Sequence, residues 1–114
     1  MSRECVLLLK NQYMSVIVQF AMFPTDQGIS VSAYVARIVA MIRRGGYSHQ
    51  LTPMATIVET LSLADALDVI AKAYQLLEPD SERVYLSANF DIRKGPMGRL
   101  EQKVKSVESK IGQH

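Results

Sequence analysis

The sequence predicts an α+β sandwich of ferredoxin-like topology, with elements in the order β-α-β-β-α-β and an added helix at the C-terminus. Three observations predict it. β-Branched and aromatic runs alternate with stretches of helical periodicity in that order. Thr52-Pro53 is a turn between two short extended segments. Glycine or proline punctuates the boundaries at Pro24, Gly45-Gly46, Pro79 and Gly95-Pro96. Such an order packs two helices on one face of a four-stranded sheet and leaves the other face bare.

The first strand is Val16-Ile17-Val18-Gln19-Phe20-Ala21-Met22-Phe23, closed by Pro24. It is apolar on both faces, as expected of a strand covered on both. Thr25-Asp26-Gln27-Gly28 is a turn, and Ser30 is placed to cap a helix. That helix carries Val31, Tyr34, Val35, Ile38, Met41 and Ile42 on one stripe; Arg43-Arg44 and Gly45-Gly46 end it. Tyr47–Leu51 and Met54–Glu59 are two short strands, with Pro53 at the turn because it has no N–H to give a ladder. Ser62 with Asp65 resembles a capping box. Leu63, Ala66, Leu67, Ile70, Tyr74 and Leu77 then form the second stripe, up to Pro79. Val84, Leu86, Ala88, Phe90 and Ile92 alternate with polar neighbours in a fourth strand. The last helix runs from about Gly98, with Leu100, Val104, Val107 and Ile111 on one face and Gly112 as its stop.

The 114 residues suit one domain, spanning 15–112, with residues 1–14 as an N-terminal extension that does not fit the pattern. Apolar residues at 48% and charged residues at 21% exclude disorder for the body. No apolar run nears the roughly 20 residues of a membrane span. With Cys5 alone there is no internal disulfide or cysteine-rich metal site, and the expected setting is cytoplasmic. The net charge of +2 argues for no nucleic acid, although six basic residues against three acidic ones follow from Asp91 onward. Tyr85 and Phe90 are the aromatics an RNA-binding sheet would use, but the basic-glycine-aromatic signature is missing.

Candidate chemistry is sparse. His49 is the one internal histidine and has no relay partner at a recognisable spacing. Glu59 lies near a strand end, where a carboxylate either meets solvent or lines a pocket. Thr56 shares its strand, and Ser87 and Asn89 lie on the polar side of the fourth strand. Gly95-Pro96-Met97-Gly98 opens a helix whose N-terminus suits an anion. The shortage of nucleophile-base pairs, metal clusters and phosphate loops speaks against an enzyme.

Five stretches in order are similar to one known family. They are Phe20–Pro24, Ser30–Ala36, Leu51–Glu59, Phe90–Gly95 and Lys103–Glu108. Through them Ser15–Ile111 resembles the small thiamine-binding (YkoF-like) proteins. The resemblance implies a non-catalytic binder of thiamine or its hydroxymethylpyrimidine part, without a cofactor, that self-associates to dimers or tetramers through its sheet. With Phe20 able to cover a pyrimidine's face and Asn89 able to hydrogen-bond a ligand or a neighbouring subunit, the candidate ligand-binding residues are Phe20, Thr56, Glu59 and Asn89. Thr56 and Glu59 match the family pattern, whereas His49, Thr52, Ala55 and Thr60 depart from it. The alternative is a structural or interaction module assembling through its sheet with no physiological small ligand.

Overall fold

The structure is a computed structural model and describes residues 14–26 and 31–112. Strand β1 (Met14–Pro24), helix α1 (Val31–Arg44), β2 (Ser48–Leu51), β3 (Thr56–Thr60), α2 (Leu63–Leu77), β4 (Val84–Lys94) and α3 (Arg99–Ile111) follow in that order. One 3₁₀ turn, Glu78–Asp80, places Pro79 directly after α2. The antiparallel sheet has the order β2-β3-β1-β4, the ferredoxin-like arrangement. Met14 pairs with Lys94, so it belongs to β1 rather than to an extension; residues 1–13, Cys5 and the Ser30 cap lie outside the described residues.

Strand alternation divides β1 between two environments. Val16, Val18, Phe20 and Met22 point to the helices and are almost fully buried. Tyr34, Ile38 and Ile42 of α1, Val58 of β3, and Ala66, Val69, Ala73 and Leu77 of α2 complete this core. Removing each large side chain from water contributes about 1.5–3 kcal/mol. Ser62 caps α2: its backbone is extended (φ −154°, ψ 159°) and its Oγ accepts the Asp65 N–H at 3.1 Å. Gly46, at φ 73°, closes α1 in the left-handed region that glycine occupies without a Cβ clash.

The β2–β3 turn shows why the strands are shorter than their sequence pattern. Thr52 Oγ1 accepts from the N–H groups of Met54 and Ala55 at 3.3 and 3.1 Å, and the Thr52 N–H reaches the Ala55 carbonyl at 2.9 Å. These local bonds hold Met54 and Ala55 in the turn, so β3 starts at Thr56.

Three expectations are corrected. The buried stripe of α2 is Ala66, Val69, Ala73 and Leu77, while Leu63, Leu67 and Tyr74 are exposed. Size misleads there: small Ala66 and Ala73 face the sheet, and bulkier neighbours lie outside. On β4, only Val84 and Ala88 of the alternating apolar set pack against the core; Leu86, Phe90 and Ile92 are 44%, 38% and 52% exposed. β4 is the edge strand, and α2 lies chiefly over β1 and β3. Nor is the second sheet face bare, because α3 begins on it.

Candidate functional site

At one end of the sheet, where β1 finishes and the β2–β3 turn meets the start of α1, lies a cavity of about 200 Å³. Phe20 and Met22 come from β1, Val31, Val35 and Ile38 from α1, and Leu51 to Thr56 from the turn. The lining is mainly apolar, with the hydroxyls of Thr52 and Thr56 as its polar points. Thr52 spends its hydroxyl within the turn, donating to the Ala55 carbonyl at 2.9 Å. Thr56 is 95% buried, and its hydroxyl has no hydrogen-bond partner among the described residues. The cavity is smaller than the roughly 300–1,000 Å³ of drug-sized sites. A dry cavity of about 150 Å³ accepts a benzene ring, so this one matches a single aromatic ring.

Phe20 and Thr56 are direct cross-strand partners on the helix-facing side, and both line the cavity. Glu59 is three positions from Thr56 and therefore faces the other side of the sheet. It is 1% exposed. Asn89 also lies on that second face, beside Gln19, and is exposed. The four residues thus fall into one pair at the cavity and two on the opposite face.

Glu59 is the centre of a buried polar network. Its Oε2 accepts the Ser15 hydroxyl at 2.5 Å. The Gly98 N–H lies 3.1 Å from both carboxylate oxygens, and the Arg99 N–H is 3.2 Å from Oε2. Gly98 caps α3 at φ 104°, so the carboxylate occupies the helix's positive end and satisfies N–H groups that have no partner within the helix. The Arg99 side chain completes the network. Its Nε donates to Ser15 Oγ at 2.9 Å, Nη1 to Asp91 Oδ2 at 2.7 Å, and Nη2 to the Ser15 and Asp91 carbonyls at 2.7 and 3.1 Å. Burying a carboxylate is costly unless such donors surround it. Together they fasten α3 to β1, β3 and β4.

The helix start that suits an anion therefore receives one from the same chain. Ser15 and Arg99 have no local signal in the sequence, since their partners lie 44 and 40 positions from them. His49 sits on the helix-facing side beside Val58, with Nδ1 2.9 Å from the Tyr47 carbonyl oxygen. Among the described residues no cluster of His, Cys, Asp and Glu is placed to hold a metal ion, and no helix is long and apolar enough to cross a membrane.

A small α+β sandwich with a ring-sized cavity beside Phe20 and a carboxylate-latched C-terminal helix is the class of protein these features define. Residues 18–108 match the thiamine-binding protein family, and the chain belongs to that family. UPF0045 protein Mb1933 of Mycobacterium bovis is 30% identical over 95 residues, covering 83% of this chain and 93% of the relative. A UPF0045 protein of Methanothermobacter thermautotrophicus is 30% identical over 83 residues, covering 72% and 84%. The solved structure of MJ1052 from Methanocaldococcus jannaschii superimposes with a TM-score of 0.71 at 26% identity, over 82% of this chain and 96% of that one. TM0486 of Thermotoga maritima, provisionally assigned to thiamine biosynthesis/salvage, shares the fold with a TM-score of 0.69 at 22% identity, over 82% and 98% of the two chains.

Proposed function

We propose that this protein is a non-catalytic binder of thiamine or its hydroxymethylpyrimidine part, and that the pyrimidine ring occupies the cavity beside Phe20. The observation that carries the reading is the largely buried Thr56 side chain in an apolar slot of one-ring volume, with its hydroxyl making no hydrogen bond among the described residues. A pyrimidine has apolar faces for Phe20 and Met22, and ring nitrogens and an amino group for a hydroxyl. Membership of the thiamine-binding family supports this ligand class. In this reading Glu59 serves the helix latch, Asn89 serves the open sheet face, and neither touches the ligand. No bond is made or broken.

Isothermal titration with thiamine and with hydroxymethylpyrimidine tests it. Thr56→Val keeps the shape of the side chain and removes the hydroxyl, and is expected to weaken binding about tenfold, the loss of one hydrogen bond of roughly 1.4 kcal/mol. Absence of binding by either compound at millimolar concentration, with the protein folded, overturns the proposal.

The second sheet face supports self-association through the sheet. Ile17, Ala21, Phe23 and Ile57 on it are part-exposed, and Tyr85 stands beside Phe23 with ring centroids 5.3 Å apart. The exposed edge of β4, with Leu86, Phe90 and Ile92, favours the second reading, a module whose role is assembly alone. An oligomer in sedimentation without any titratable ligand would select that reading.

A further inference from the structure

The ring-sized slot opens toward the β2 side of the sheet. Val31, Val35, Leu51, Thr52 and Pro53 line the slot and also the mouth outside it, between α1 and the β2–β3 turn. Val31 and Leu51 are 43% and 55% exposed, so solvent reaches this mouth. Val35 and Leu51 line in turn a groove of about 520 Å³, which follows α1 past Ala36, Val39 and Ala40 to Arg43 and Arg44. Residues 35–36, 39–40 and 43–44 are successive turns of one helix face. Slot, mouth and groove therefore share walls and form one path. Along it, α1 rises about 12 Å from Val35 to Arg43.

The charge along this path is one-sided. Among the described residues no carboxylate lines the slot, the mouth or the groove, and the charged groups there are Arg43 and Arg44. Neither arginine has an ion-pair partner among the described residues. Both stand in the last turn of α1, where a cation also complements the negative end of the helix. That role explains a positive charge at this place, but not an apolar groove that joins it to a slot. A ring held beside Phe20 and Thr56 sends its substituent out past Leu51 and along the groove. In thiamine the substituent is a thiazolium cation, which meets two guanidinium groups and no carboxylate. A diphosphate on the end of the arm reverses the net charge of the molecule, and its oxygens suit the planar donor forks of arginine.

We propose that the protein selects the phosphorylated form of its ligand: the pyrimidine ring lies in the slot, the rest of the molecule follows α1, and the terminal phosphate groups meet Arg43 and Arg44. This deepens the ring-binding reading and rests on it. The two arginines set specificity for the anionic arm and leave the ring to Phe20, Met22 and Thr56.

The test is isothermal titration of the full chain with hydroxymethylpyrimidine, thiamine and thiamine diphosphate, in buffer free of divalent cations. Thiamine diphosphate is expected to bind about tenfold tighter than thiamine, the worth of one charge-assisted hydrogen bond. Arg43→Gln combined with Arg44→Gln is expected to abolish this preference and to leave hydroxymethylpyrimidine binding unchanged, since the ring alone does not reach the arginines. Lys103→Gln combined with Lys110→Gln removes the same charge from α3 and is expected to keep the preference, which separates a contact from the general attraction of a basic protein. Thermal melting verifies that each variant is folded. Should the glutamine pair melt early, Arg43→Lys with Arg44→Lys keeps the charge at the helix end, loses the planar forks, and is expected to weaken thiamine diphosphate alone. Equal affinity for thiamine and its diphosphate, with hydroxymethylpyrimidine bound, overturns this proposal and leaves the ring reading standing. A preference that survives loss of both arginines, or that falls equally with the α3 lysines, also overturns it. Failure of all three compounds to bind the folded parent is the failure of the ring reading itself, and this proposal falls with it.

Discussion

Glu59 is the residue whose environment differs most from its surroundings in the sequence. A carboxylate followed by Thr60, Leu61 and Ser62 reads as the exposed end of a strand, yet it is nearly inaccessible and holds the start of a helix 39 residues away. Replacing it by glutamine turns an amide N–H₂ toward donors that need acceptors. Glu59→Gln is therefore expected to lower stability by about 1–3 kcal/mol in denaturant unfolding. Titration of thiamine should be unchanged for this variant, because the carboxylate lies on the far side of the sheet from the cavity. A large loss of affinity would return Glu59 to the ligand. Gly98 is equally constrained: at φ 104° alanine is strained although the space around it is open. Gly98→Ala should cost about 1 kcal/mol or more, read from the midpoint of thermal unfolding. Arg99→Lys keeps the charge but cannot reproduce four donations from one planar fork, so it should behave like a partial Glu59 variant in the same melt.

At the scale of elements, how much the sequence discloses depends on how local the cause is. β1, α1 and the cap of α2 rest on local patterns, namely β-branched runs, a 3.6-residue period and a serine hydroxyl, and all three stand where those patterns put them. The phase of α2 was not legible in the same way. Leu63, Leu67 and Tyr74 are more hydrophobic than Ala66 and Ala73, but close approach of a helix to a sheet selects small side chains, and that distance is set by the partner. β4 shows the same limit, because strict alternation at Val84–Ile92 cannot say that α2 covers only part of the edge strand, near Val84 and Ala88. Glu59, Ser15 and Arg99 were not legible as a unit, since each is ordinary by itself and only the sheet register brings them together. Of the cavity, Thr56 was accessible through the resemblance to a family and Phe20 through the flat apolar face of a pyrimidine, while their cross-strand pairing needed the structure. α3 should expose these differences in hydrogen exchange. Amides of Gln102 to Leu100's turn depend on the latch, and in Glu59→Gln protection from Leu100 onward should fall to that of an isolated helix, with β1 and β3 unaffected. Equal loss across the sheet would mean that the latch holds the whole fold together.

At the scale of the whole molecule, stability is concentrated where β1 lies between β3 and β4 with both helices above it. Phe20 is central to that region and to the cavity. Phe20→Ala should lower stability by about 3–5 kcal/mol, as expected for an aromatic side chain removed from a packed interior, and enlarge the slot beside Thr56. A bulkier ring-containing ligand is then expected to stabilise the variant more than the parent in a thermal-shift comparison. The two outward-facing apolar regions, on the edge of β4 and along α3, lie away from this centre, and changes there should alter association more than folding. Sedimentation of Leu86→Lys and Ile92→Lys tests that division: a loss of association with an unchanged melting midpoint is expected, and a fall in the midpoint would place those side chains in the core.

The pairing of β1 with β4 runs in register from Met14 with Lys94 to Pro24 with Val84, so the central strand finds its longest neighbour only across 60 to 80 residues of intervening chain. On a ribosome elongating at about 5–20 residues per second, the first strand emerges seconds before the strand that shelters its flank. During that interval the greasy segment from Val16 to Phe23 has first α1 and then the β2–β3 hairpin as its native companions, and its β4 flank stays open to chaperones or to a neighbouring nascent chain.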